Sequence, residues 1–271
     1  MSRKIFITPY IVWAAGFIIL PLFMILGYGL TGADGKITLE NLLAILDAVH
    51  YKSFGNSLWL AFGTTTLCLL LAYPLAYILS QRKKRGSKLV ILLFVLPMWI
   101  NFLLRVLAMQ MILSNTGILN GILSFLGLPT LKIMYTKAAI LIGMVYDYLP
   151  FMILPIYNVL NKIDVALIEA ARDLGATPAV TFRKVILPLS MPGVISGVTM
   201  VFIPSISEFV VADILGGSKI LLLGNVIEQE FNLANNWNLG SGLSLVLMVF
   251  ILISMAIMNR SNSEKGDTMI W

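Results

Sequence analysis

Four ionisable residues interrupt otherwise apolar stretches of the chain: Arg105, Asp147, Glu208 and Asp213. A charge held in hydrocarbon costs at least ~2.5 kcal/mol on insertion scales, so such residues pair with a partner or face a cavity. Conventional catalytic sets are missing around them. His50 is the sole histidine, which excludes a multi-histidine metal or haem site and makes a Ser/His/acid triad implausible. Cys68 is the sole cysteine, so no internal disulfide forms. No G-x-x-x-x-G-K-S/T loop occurs: in Gly216-Gly-Ser-Lys219 the lysine precedes isoleucine and the first glycine is misplaced. The chain therefore shows no catalytic constellation and no energy source of its own.

The elements that must position these charges are membrane helices. Of the 271 residues, 59% are apolar and 12% charged, and mean hydropathy is +0.92. That charge share is about half the usual one and excludes a soluble enzyme, a disordered chain and a secreted disulfide scaffold. A net charge of +6, scattered along the chain, gives no sign of nucleic-acid binding. Ile5–Ala33, Ser53–Gln81 and Phe231–Asn259 each run 29 residues without a charge, and Val185–Ser207 runs 23. About 20 apolar residues cross a bilayer. Leu89–Leu113 and Lys137–Leu160 add two spans holding Arg105 and Asp147. We expect an all-α integral membrane protein with six helices at about 7–30, 57–80, 89–113, 138–160, 189–213 and 240–259. The first is too long for a signal peptide and lacks a clean cleavage site.

With the N-terminus inside, 13 lysines and arginines fall on the inner side and five outside, which places both termini in the cytoplasm. The run Gln81-Arg-Lys-Lys-Arg-Gly-Ser-Lys88 is the sharpest anchor, a turn beside anionic lipid. Pro21, Pro74, Pro97, Pro150, Pro155 and Pro204 lie within five of the six spans. Each frees a backbone carbonyl. Outside, Ile220–Ile227 is too short to span and suits a re-entrant or interfacial helix, and Trp237 suits an interfacial anchor.

The loop 161–188 carries the clearest local signals. Asp164 can cap a first short helix and Gly175 end it in the left-handed conformation. Thr177 can cap a second, with Pro178 at its first position and Pro188 marking the turn into the fifth span. The small residues Ala170 and Ala171 permit close approach to another surface. The result is a docking hairpin, too small for a domain.

Glu169-Ala170-Ala171, Gly175 and Val185-Ile-Leu187-Pro188, at their spacing, resemble the EAA loop of binding-protein-dependent ABC importer permeases, with valine in place of an isoleucine. Leu149-Pro-Phe-Met-Ile-Leu-Pro-Ile-Tyr157, Pro204–Gly217, Gly224-Asn-Val-Ile227 and Leu96–Arg105 resemble the spermidine/putrescine subgroup, so the likeness covers about residues 5 to 260. It implies a type I, MetI-like permease bundle in the bacterial inner (cytoplasmic) membrane, as one domain. Glu169, Ala170, Ala171, Asp173, Gly175, Leu187 and Pro188 would then form the ATPase-coupling loop. It also implies a second, homologous permease chain and two cytoplasmic ATPase subunits that hold ATP and magnesium, with no cofactor or metal in this chain. An extracytoplasmic polyamine-binding protein would deliver the substrate to loops 31–56 and 114–136. A polyamine path wants spaced carboxylates and aromatic faces. Asp147, Glu208, Tyr148, Trp99 and Asp213 are its candidates here. The alternative for the spans is a structural ion pair of Arg105 with Glu208 or Asp147. Other solutes carried by permeases with the same loop, and an ion-coupled secondary transporter using Asp147 and Glu208, are the competing functions.

Overall fold

The computed structural model describes residues 4–32, 34–81, 90 and 92–267. The basic run 82–88 and Arg3 lie outside the described residues. Among the described residues, six helices are long and apolar enough to cross a membrane: Pro9–Gly29, Ala48–Gln81, Phe102–Phe125, Lys137–Leu160, Pro178–Ile206 and Trp237–Met258. Helices suit these runs because hydrocarbon offers no partner for a free amide or carbonyl, and a helix satisfies its own.

Burial orders the spans. In the fourth, 56% of the most apolar window is buried by the rest of the chain, whereas in the first none is. The fourth span is thus the axis, flanked by the second and fifth, and the first lies at the rim against the sixth. Small residues bring the central helices together. A methyl on Gly193 would sit 2.9 Å from the Pro155 carbonyl oxygen, and one on Gly197 would meet Met152. From the second span, Ala61, Cys68, Ala72 and Ala76 are fully buried. On the first span Tyr10, Val12, Phe17 and Phe23 remain exposed for lipid.

Three spans differ from the sequence expectation. The second, expected to start near 57, already begins at Ala48. The third, expected as one helix over 89–113, breaks at its centre. A short 3-10 turn, Leu96–Trp99, ends in Ile100 at ψ 140°, and a new helix starts at Phe102. Pro97 lacks the amide to continue the first turn. Asn101 then caps the new one, its side-chain oxygen accepting from Leu103 N at 2.9 Å and Leu104 N at 3.4 Å. The fifth span, expected over 189–213, stops at Ile206, and a separate helix runs Val210–Gly216. Glu208 starts that helix by accepting the amides of Phe209 and Val211. Beyond it, the segment expected as a helix over 220–227 forms one at Leu223–Asn232 instead. Asn225 takes the Leu222 amide at 3.2 Å and delays the start. Leu222, Leu223 and Val226 pack into the bundle, not onto lipid.

Candidate functional site: a docking projection and a buried charged centre

The loop between the fourth and fifth spans forms a two-helix projection. Asp164 accepts the Ala166 amide at 3.0 Å and opens the helix Val165–Asp173. Gly175, at φ +82°, closes it, with Gly175 N donating to Arg172 O and Ala176 N to Ala171 O. Thr177 accepts from Val180 N at 3.4 Å, and Pro178 opens the second helix. Pro188 does not mark a turn. A wide π segment, Phe182–Ile186, carries the helix straight into Leu187–Ile206, with Leu187 N reaching back to Phe182 O. That wide turn removes the need for the amide that proline lacks.

The projection is exposed at its tip and fastened at its root. Glu169, Ala170, Asp173 and Gly175 are exposed, Ala171 and Leu187 half-buried, and Leu174 offers an apolar side chain at 89% exposure. At the root, the Phe182 ring meets Tyr73 and Tyr77 edge-on at 5.9 and 5.5 Å, and Tyr73 shares a 2.8 Å hydrogen bond with Ser190. A cavity of about 420 Å³ separates Glu169 and Arg172 from Tyr77, Ser80 and Gln81 at the end of the second span.

The charged centre is built from three elements. The helix capped by Asn101 carries Arg105, whose Nη2 lies 3.4 Å from Asp147 Oδ1 on the fourth span. Both are buried, at 9% and 2% exposure. Arg105 Nε and Asp147 Oδ1 make no hydrogen bond among the described residues, so the pair is held by charge and lacks full hydrogen bonding. The Arg105 guanidinium also stands 5.8 Å from the Phe102 ring centre. Next to it, the Tyr148 hydroxyl donates to Glu208 Oε2 at 2.5 Å, and Glu208 Oε1 accepts from Phe209 N at 3.0 Å and Val211 N at 3.1 Å. Asn225 donates to Phe209 O at 2.9 Å, and Ser57 accepts the Leu223 amide at 2.9 Å.

Asp147, Tyr148 and Glu208 therefore come together, with Arg105 as the counter-ion. Trp99, 79% exposed, and Asp213, exposed and bonded to Ser218 at 3.1 Å, do not join them. Asn225 enters the sequence analysis only within Gly224-Asn-Val-Ile227, with no site role, and Ser57 only inside an uncharged run. A lone asparagine in an apolar run was the available signal for the first; a serine on a span gives none.

Six spans, kinked helices around a buried charged centre and a two-helix projection on one face define a membrane permease and not a simple anchor. The chain belongs to the family of binding-protein-dependent transport system inner membrane components, whose model matches residues 69–264. It is a multi-pass inner-membrane protein of the ABC importer permease type. It is 39% identical over 268 residues to the spermidine/putrescine transport system permease protein PotB of Haemophilus influenzae, covering 96% of this chain and 94% of that protein. The corresponding protein of Escherichia coli is 37% identical, with 94% and 96% covered. Among solved structures, a chain of a bacterial ABC transporter importing the acidic polysaccharide alginate superposes with TM-score 0.80 at 16% identity, covering 95% and 94% of the two chains. A chain of the MetNI methionine ABC transporter gives TM-score 0.60 at 19% identity, covering 79% and 95%.

Proposed function

We propose that this chain is one of two permease subunits that enclose a polyamine path, importing spermidine or putrescine. The observation that carries this reading is full-length similarity to polyamine permeases at 39% identity, which leaves no segment of the path to a different fold. In it, an extracytoplasmic binding protein delivers the substrate, and both termini face the cytoplasm. Two ATPase subunits, holding ATP and magnesium, grip the projection through Glu169, Ala170, Ala171, Asp173 and Gly175, with Leu187 and Pro188 at its root. The exposed Leu174 tip and small Ala170 suit a cleft on such a partner. The second permease chain is a homologue and not a copy, as the family resemblance implies.

The path residues divide by exposure. Trp99 and Asp213 present free surface to a passing ammonium. Asp147, Tyr148 and Glu208 are buried and engaged, so they supply negative potential and hold the wall. Two carboxyl groups face one guanidinium there, an imbalance that favours a cation over an anion.

The test is uptake of labelled spermidine and putrescine by cells carrying the whole assembly, with unlabelled polyamines and inorganic anions as competitors. Inhibition by polyamines alone is expected. Inhibition by an anion alone refutes the substrate class. Full transport by this chain without an ATPase refutes the importer reading.

A further inference from the structure

A second cleft stands apart from the charged centre, where the first and sixth spans meet. The first span ends there at Gly29 and the sixth begins at Trp237, whereas the projection joins the opposite ends of the fourth and fifth. The cleft measures about 630 Å³ and is lined by Tyr28, Glu40, Asn41, Asn235, Asn236 and Trp237. That size lies within the roughly 300–1,000 Å³ of small-ligand sites.

Its walls are fixed. Asn41 donates to the carbonyls of Gly29 and Thr31 at 3.2 and 3.0 Å, and Asn238 donates to Thr31 O at 2.6 Å. The Tyr28 and Trp237 rings make a corner, 6.1 Å between centres and inclined at 46°, and Phe231 braces Trp237 edge-on at 5.4 Å. Asn236 caps the sixth span through Leu239 N. Against this order one charge stands open. The Glu40 carboxylate has no hydrogen bond or ion pair among the described residues, and Lys36, the base nearest it in sequence, pairs with Asp34 at 3.6 Å. Among the described residues, no basic side chain lines the cleft. A bare carboxylate, two ring faces and free amide oxygens reject an anion and match a cation with several N–H donors.

We propose that this cleft binds a primary ammonium group, with Glu40 as counter-ion, Tyr28 and Trp237 as ring faces and Asn235 as a neutral acceptor. Two sources present that group. A free polyamine is one, and that identification rests on the import reading above. The headgroup of phosphatidylethanolamine is the other, since Met24 and Tyr28 stand at the end of the lipid-facing first span.

Calorimetric titration of the full chain with putrescine, in a neutral maltoside detergent, tests the site. Saturable binding is expected, weakened about tenfold by Glu40→Gln and by Trp237→Leu, and less by Trp237→Phe, which keeps a ring. Asp34→Asn, on the same face but paired with Lys36, leaves it unchanged. Phosphatidylethanolamine added to the micelles lowers putrescine affinity if the headgroup shares the site. If affinity holds, the cleft takes soluble amines alone; either result supports an ammonium site. Absence of saturable binding, or equal binding by wild type, Glu40→Gln and Trp237→Leu, overturns it. Polyamine uptake by the assembly without binding here sinks this site alone, and binding here in an assembly that moves no polyamine sinks the substrate reading alone.

Discussion

Asp147→Asn separates a wall residue from a substrate contact. In the native protein Arg105 is 9% exposed and Asp147 is its ion-pair partner, at 3.4 Å. The asparagine keeps the shape and removes the charge, which leaves a guanidinium in the bundle without its counter-ion. Breaking a buried pair in this way costs about 3–5 kcal/mol. A chain of this size loses about 2–4 °C of Tm per kcal/mol, so the variant melts roughly 6–20 °C lower. Cys68, the only cysteine and fully buried, provides the assay: a thiol-reactive dye labels it as the bundle opens on heating. The double variant Arg105→Met with Asp147→Leu is expected to recover most of the loss, because apolar residues replace a buried pair at little or no cost. Native thermal stability in Asp147→Asn with collapsed polyamine uptake refutes the wall assignment and makes Asp147 a substrate contact. A double variant no more stable than the single one refutes the pairing itself.

Glu208→Ala removes the acceptor for two amides and strands the Tyr148 hydroxyl, a loss of about 2–4 kcal/mol, whereas Glu208→Gln keeps an oxygen for the helix start and costs about 1 kcal/mol; the same labelling melt measures both. Gly193→Ala pushes a methyl against the Pro155 carbonyl and costs about 1–3 kcal/mol, while Gly55→Ala, with open space around it, stabilises by up to about 1 kcal/mol. Leu174→Asp, at the exposed tip, leaves the melt within about 0.5 kcal/mol of wild type but reduces recovery of the ATPase in a gentle detergent extract. Unchanged recovery places the ATPase contact elsewhere.

Features settled by near neighbours were legible in the sequence. Asp164, Gly175, Thr177 and Pro178 act within a turn or two of themselves, and their residue types specify the projection. The long uncharged runs likewise announce the spans. What was not legible depends on contacts across the bundle. The halt at Ile206 needs Glu208 turned to cap Val211 while bonded to Tyr148, a residue of another span. The choice of Asp147 over Glu208 as partner of Arg105 is set by how the third and fourth spans align, which no local pattern encodes. Pro188 misled for a related reason: proline reads as a break, yet the π segment before it lets the helix pass.

That continuous helix makes a closed mechanical frame. One leg rises from the projection along the fourth span to Tyr148, about 18 Å by helical rise. The other runs from Pro178 to Ile206, about 42 Å, and ends beside Glu208. The Tyr148–Glu208 hydrogen bond joins the two tops, and the Tyr73–Ser190 bond ties the longer leg sideways to the second span. On the proposed docking role, a movement of the projection at Leu174 would be passed to both legs, which meet at that Tyr148–Glu208 hydrogen bond. Sliding one leg along the other would strain that bond, so a change at the exposed loop and a change in the buried centre would be linked.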